Sequence, residues 1–183
     1  MFSYLPISSG PITLRKLSPD DVMAFHEYRS DPDVARFQGW SPMSIHQAAN
    51  FLASQSRHAH LIPGAWHQIA IALATEDTLV GDIGVWISDD QRQAEFGLSI
   101  NPRRQGEGFG TAAVRSLIAL LFSSTPVSEI IASIDIRNVA CRVLLARCGM
   151  RYTSTSTAEY KGEVCTEHCF AITKGNHQAW APD

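Results

Sequence analysis

The residues with the clearest chemical promise run Asn101-Pro102-Arg103-Arg104-Gln105-Gly106-Glu107-Gly108-Phe109-Gly110-Thr111, between a β-rich run and a strongly apolar helical one. Glycines at every second position let a ligand come close to the main chain, and several N–H groups can then point the same way. The helix that follows adds the positive end of its dipole. Such a stretch can cradle phosphate. The dinucleotide fingerprint G-x-G-x-x-G would need a glycine at 111, where Thr111 stands, and no Lys-Ser/Thr pair follows as a P-loop requires. A bare G-x-G-x-G also suits a flexible strand-to-helix turn, so the surroundings decide. Residues 103–151 hold seven arginines against three acids, a net +4, which leaves −7 for the rest of a chain whose total is −3. A basic half with an anion cradle beside an acidic remainder suits a polyanionic cofactor and a cationic co-substrate.

Other chemistry-bearing residues give weaker signals. Cys165-Thr166-Glu167-His168-Cys169 brings two thiols and an imidazole together, but on a strand His168 faces away from both cysteines. A second ligand pair is also missing, so no metal site is expected. Phe37 and Trp40, on a loop, could stack on a substrate or plug the edge of the core. His26, His46, His58 and His60 fall in the helical first third and read as surface residues.

The elements that must position these residues follow from local patterns. Residues 12–17 alternate as a strand. Ser18-Pro19-Asp20-Asp21 then supplies an N-cap, a proline for the first turn and two acids, so a helix starts there and ends before Asp31-Pro32. Ser44 with Gln47 forms a capping box ahead of Ala48, Phe51 and Leu52, a second helix. Three strands in a meander follow at 67–73, 79–87 and 93–100. Val114, Leu117, Ile118 and Leu121 mark a helix over 109–122, and a strand at 129–136 precedes a helix at 138–148 stopped by Gly149. Strands at 151–160 and 164–173 join at a Lys161-Gly162 turn. The order β-α-α-β-β-β-α-β-α-β-β is an α/β (α+β) mixture over one sheet.

The chain of 183 residues predicts a single domain over 1–183. With 45% hydrophobic and 18% charged residues it is neither disordered nor fibrous. A net charge of −3 gives no basic field, so nucleic acid is not expected as a partner. No run approaches a membrane span, and the first residues lack the layout of a leader. Four cysteines clustered in the last quarter read as reduced thiols of a cytoplasmic protein.

Gln105-x-x-Gly108-x-Gly110 resembles the Q/R-x-x-G-x-G/A acyl-coenzyme A loop of the GNAT superfamily of N-acetyltransferases. The run Ala94–Pro102 before it, and Asn138–Met150 after it, are similar to segments of the ribosomal-protein N-acetyltransferase (RimJ/RimL-like) branch. Ala35–Trp40 resembles a further segment of that branch. Departures are Leu98 where an aromatic is common, Ala112 in place of Glu, Cys141 in place of Ser and Met150 in place of Phe.

The resemblance implies a mixed, mostly antiparallel sheet of about seven strands with about four helices, splayed between the fourth and fifth strands. It also implies acetyl transfer from acetyl-coenzyme A to a primary amine, on a protein N-terminus or a small molecule, by direct attack in a ternary complex without a metal. Leu98, Ser99 and Ile100 would offer an open strand edge to the pantetheine arm. The main chain of Gln105, Gly106, Glu107, Gly108, Phe109, Gly110 and Thr111 would meet the pyrophosphate. Asn138 would reach the same arm or simply cap its helix. An alkylammonium with a pKa near 10.4 must lose a proton before attack. Glu95 stands where related enzymes hold a carboxylate for that task, with His67 and Asp82 on neighbouring strands as the next candidates. Cys141 takes the place of a Ser proposed to protonate the departing thiolate. Phe37 and Trp40 would shape the acceptor pocket. The loss of that Ser also permits an idle acyl-coenzyme A-binding regulatory or sensor module, and pairing as a homodimer is left open.

Overall fold

The structure is a computed structural model that describes residues 5–56 and 61–180. His58 and His60 lie outside the described residues. Eight strands form one sheet: β1 (Ile7–Ser9), β2 (Ile12–Lys16), β3 (Trp66–Leu73), β4 (Leu79–Ile87), β5 (Gln93–Ile100), β6 (Glu129–Asp135), β7 (Arg151–Tyr160) and β8 (Glu163–Thr173). The helices are α1 (Val22–Arg29), α2 (Pro32–Ala35), α3 (Ile45–Gln55), α4 (Phe109–Ser124), α5 (Val139–Arg147) and α6 (Lys174–Trp180). The strands lie in the order β1-β2-β3-β4-β5-β6-β8-β7. All neighbours are antiparallel except β5 and β6.

Local chemistry accounts for most boundaries. The Ser18 hydroxyl accepts from Asp20 N, and the Asp21 carboxylate accepts from Ser18 N at 2.8 Å, which closes a capped 3₁₀ turn that leads into α1. Ser44 and Gln47 cap α3 reciprocally, at 3.3 and 2.8 Å. The β7–β8 turn places Lys161 at φ 55° and Gly162 at φ 79°, the left-handed pair a two-residue hairpin needs. Three elements exceed the sequence expectation of seven strands and four helices. Asp31 and Pro32 end α1 and also start α2, because the Asp31 carboxylate accepts from Asp33 N at 2.8 Å. β1 is too short to show a period, and α6 follows β8 without a break.

Two layers of helix cover the sheet. On one face α4 buries Val114, Leu117, Ile118 and Leu121 against alternate residues of the strands, with Leu145 of α5 beside them. On the other, Phe25, Tyr28, Ala48 and Leu52 of α1 and α3 pack over Ala70 and Leu79.

That second face contains a buried charge. Asp82 of β4 is 0% exposed and Arg29 of α1 is 3% exposed. The Arg29 guanidinium grips the carboxylate through Nε at 3.2 Å and through Nη2, the Tyr28 hydroxyl donates at 2.7 Å, and Gln68 Nε2 donates as well. Trp40 lies against the guanidinium at 4.2 Å and Phe25 at 5.0 Å. Burial, and then the Asp82 charge, hold the Tyr28 phenol well above its ordinary pKa. Asp82 is thus committed to structure. His67 is buried too, its Nε2 accepting from Ile62 N at 2.7 Å. Removing one partner of such a pair leaves an uncompensated buried charge. Asp82→Ala should cost about 3–5 kcal/mol, seen as a lower urea midpoint with an unchanged slope. A loss below about 1 kcal/mol would mean that water solvates Arg29 after all.

Candidate active site

β5 pairs with β4 from Ala94 to Ile100, but with β6 only through Gln93–Glu129, Ala94–Ile130 and Glu95–Ile131. Beyond Glu95 the two strands part, and a cleft of about 690 Å³ opens between them. Phe96–Ile100 form one wall, Ala132–Ile134 and the start of α5 the other, while Phe37 and Gln38 approach from the loop after α2. The open edge of β5 is occupied by side-chain amides: Gln38 Nε2 donates to the Leu98 carbonyl and Gln105 Nε2 to the Ile100 carbonyl, each at 3.1 Å.

The glycine loop closes one end of the cleft. Asn101 caps the turn Pro102–Arg104 through Arg103 N at 3.0 Å, and its amide nitrogen donates to Glu27 at 3.1 Å. Gly106 at φ 81° and Gly108 at φ 85° take the left-handed conformation, and Gly108 serves as the N-cap of α4 without any side-chain cap. The first helical bond is Ala112 N to Gly108 O at 3.0 Å, so the N–H groups of Phe109, Gly110 and Thr111 have no helical acceptor. Gly110 has a different task. A Cβ there would come 2.8 Å from Leu144 Cδ1 and 3.4 Å from Leu98 Cδ1, so its absence lets α4 wedge between α5 and β5. Gln105, Gly106, Gly108, Phe109, Gly110 and Thr111 line the cleft together with Leu98, Ser99 and Ile100. Glu107 does not: its carboxylate takes the Arg104 fork at 2.9 and 3.1 Å, which cancels a negative charge beside the cradle.

Asn138 lines the cleft and caps α5, its Oδ1 accepting from Cys141 N at 3.1 Å. Cys141 lies on the same wall, and burial pushes its thiol up to about 12.

Glu95 sits at the vertex of the splay, on the strand face opposite Ala94 and Phe96. Burial raises its pKa, and the Glu167 charge raises it further. Glu167 of β8 is 6% exposed and accepts from the Tyr160 hydroxyl at 2.9 Å. A second groove of about 280 Å³ carries Glu167 and Tyr160, shares Asp33 and Phe37 with the cleft, and is lined by four carboxylates and three cations. The groove is therefore nearly balanced in charge, although the acidic remainder of the chain suggests a cationic co-substrate, and Arg137 stands between Asp135 at 2.7 Å and Glu163 at 3.0 Å. Phe37 lines both spaces, whereas Trp40 lines neither and covers Arg29. Cys165 and Cys169 share a strand face with Glu167, and His168 lies on the other face against the Tyr152 ring at 5.1 Å. The sequence assigns no role of their own to Glu167, Tyr160, Gln38 and Arg36, although Arg36 and Gln38 fall in the segment Ala35–Trp40. Glu167 stood inside the Cys-His run, and only the strand order brings it toward Glu95.

Residues 12–151 match the acetyltransferase (GNAT) domain family. This chain belongs to that family. An uncharacterized N-acetyltransferase, p20, of Bacillus licheniformis is 27% identical over 136 residues, 73% of this chain and 75% of that protein. A GNAT acetyltransferase from Bacillus anthracis superposes with a TM-score of 0.84 at 22% identity, covering 93% of this chain and 99% of its own. Spermidine N-acetyltransferase from Vibrio cholerae, solved with coenzyme A and spermine, gives 0.77 at 19%, covering 92% and 98%. At such identities the superpositions speak for the fold. The strand and helix order described above is thus that of the GNAT fold.

The two left-handed glycines of this GNAT loop are separable from the packing glycine. A Cβ on Gly108 meets nothing within 4 Å, so the penalty of Gly108→Ala is conformational. The substitution should lower stability by about 1–2 kcal/mol, the cost of a left-handed non-glycine residue, measurable by thermal unfolding of the ligand-free protein. An unchanged midpoint would show that the loop relaxes to another conformation.

Proposed function

We propose that this GNAT enzyme transfers an acetyl group from acetyl-coenzyme A to a primary amine by direct attack in a ternary complex. One observation carries the reading: the strand edge opened after Glu95 and a glycine-rich helix N-terminus border one cleft, with the shielded Glu95 carboxylate at the vertex where the two strands part. The residues present fit the cofactor. Unsatisfied N–H groups at Phe109–Thr111 and the left-handed glycines suit pyrophosphate, and the Arg104–Glu107 pair keeps the cradle free of net negative charge. Main-chain groups of Leu98 and Ile100, now held by Gln38 and Gln105, suit the amides of the pantetheine arm, with Ser99 between them.

When bound, acetyl-coenzyme A supplies an acyl group already activated as a thioester. Holding the amine against it is then the largest task left to this chain. Glu95 takes the amine's proton, and its raised pKa brings it closer to that role than a solvated carboxylate would be. Cys141 cannot hand over a full proton cheaply. Moving one from a group near 12 to an ordinary thiolate of pKa about 8.5 runs uphill by about 5 kcal/mol, so its S–H serves as a hydrogen-bond donor to the leaving sulfur. Phe37, shared by both spaces, shapes the meeting point of the two substrates. The runs Ala94–Pro102 and Asn138–Met150 favour the ribosomal-protein N-acetyltransferase branch. Four thiols favour a reducing compartment, and the reading places the enzyme in the cytoplasm. Among the described residues no helix is long and apolar enough to cross a membrane.

Thiol release from acetyl-coenzyme A with a panel of amines tests the reading, and release with none of them would refute it. In calorimetry Gly108→Val should weaken coenzyme A at least tenfold, about 1.4 kcal/mol. Because the raised pKa means that the basic form of Glu95 is lost at a higher pH than usual, the acidic limb of kcat/KM should lie above the ordinary carboxylate value of about 4.3. Glu95→Gln should abolish that limb and depress kcat/KM most near neutrality, recovering at high pH where free amine is abundant. For Cys141, both Ala and Ser should hold kcat within about threefold, under 1 kcal/mol. A loss of a hundredfold in Cys141→Ala alone would restore it as an acid.

A further inference from the structure

We propose that the acceptor is an amphoteric amine, one that carries a carboxylate or phosphate besides its amino group, with Arg36 holding the anionic end. The inference rests on acyl transfer to an amine at Glu95. It comes from the groove of about 280 Å³ between α2 and the β7–β8 hairpin, a volume at the small end of ligand pockets. Its charges are not all spent on one another. Arg137 is divided between Asp135 and Glu163. Lys161 Nζ donates to the Ala35 carbonyl at 2.6 Å and bridges hairpin to helix. Besides Lys161, three groups of the groove have no ion-pair partner among the described residues: the exposed Asp33, and Glu167 and Arg36. Glu167, almost wholly buried, has the Tyr160 hydroxyl as its partner and, among the described residues, no cation within ion-pair distance. A buried carboxylate in that state favours an incoming cation, and its charge already acts on Glu95 at the vertex of the splay.

Arg36 presents the opposite demand. Its guanidinium is exposed and rests over the Phe37 ring at 5.1 Å, with no carboxylate of the described residues within ion-pair distance. Arg137 approaches the same ring at 5.8 Å, so two guanidinium groups gather round Phe37 while only one of them is paired. Asp135 feels the Arg36 charge from beyond contact distance. Asp33, one turn earlier on α2, is exposed and lines the groove and the cleft alike. An acceptor with its amino group toward Glu167 and Glu95 and its anionic group on Arg36 satisfies both ends. A plain amine leaves Arg36 idle, and a diamine would set a second ammonium beside two guanidinium groups. The planar fork of Arg36 accepts either a carboxylate or a phosphate.

The test uses the full chain with acetyl-coenzyme A and four acceptors: propylamine, putrescine, glycine and O-phosphoethanolamine. Glycine or O-phosphoethanolamine should exceed both plain amines in kcat/KM by at least tenfold, the better of the two distinguishing carboxylate from phosphate. Arg36→Gln should cut that ratio at least tenfold, mainly through KM, and Arg36→Lys should restore part of it. Equal or higher kcat/KM for propylamine or putrescine, or a ratio unmoved by Arg36→Gln, would overturn the proposal while leaving acyl transfer intact. Calorimetry with glycine and O-phosphoethanolamine supplies a readout free of turnover. Binding lost in Arg36→Gln, without thiol release from any acceptor, would keep the groove and sink the acyl-transfer reading instead. No binding and no release would sink both.

Discussion

Everything at the candidate site depends on the sheet losing its continuity at one point. β5 and β6 share three residue pairs and then part, although each stays paired with its outer neighbour. Parallel pairing between them would otherwise run on and seal the backbone groups of Leu98 and Ile100 into a ladder. The opening is held by packing. Leu144, Leu145 and Phe109 fill the space on the α4 face, and the missing side chain of Gly110 lets the helix start close to β5. The same parting puts Glu95 at the last shared pair, half-shielded from solvent, and that burial, followed by the Glu167 charge, raises its pKa.

The loop that reaches this opening is anchored on the far face of the sheet. Arg29 is fixed by Asp82, and its carbonyl accepts from Met43 N at 2.9 Å, so both ends of the segment 30–43 are tied to one residue. Between those ends lie Phe37 and Gln38, which border the cleft, and Ala35, whose carbonyl takes Lys161. A buried ion pair is weak evidence for net stability but a strong local constraint, since either partner alone is costly. Here it sets where the loop bordering the cleft begins and ends.

Much of this was readable in the chain because it is local. Ser18, Ser44 with Gln47, and Asn138 announce helix starts, Lys161-Gly162 announces a hairpin, and the glycine loop announces a tight passage from strand to helix, each within a few residues. Asp31-Pro32 misled because the same pair that stops one helix caps the next. Glu167 and Tyr160 could not be read, since β8 inserts between β6 and β7 and brings a distant strand toward Glu95. Trp40 has the chemistry of a stacking residue, and its partner proved to be Arg29. The charge sum suggests a cationic co-substrate, and it does not register that one guanidinium, Arg137, is shared between Asp135 and Glu163.

The amides of Gln38 and Gln105 also bear on contacts between separate chains. An open strand edge with free carbonyls is a template for another chain, and proteins commonly blunt such edges with charge, proline or a bulge. Here two side chains imitate the missing neighbour strand, donating at 3.1 Å to alternate carbonyls with the two-residue repeat of a real ladder. The resting protein thus keeps its widest backbone gap out of reach of stray strands, while the plug consists of side chains that can rotate away. Guarding against aggregation and admitting a ligand become the same motion.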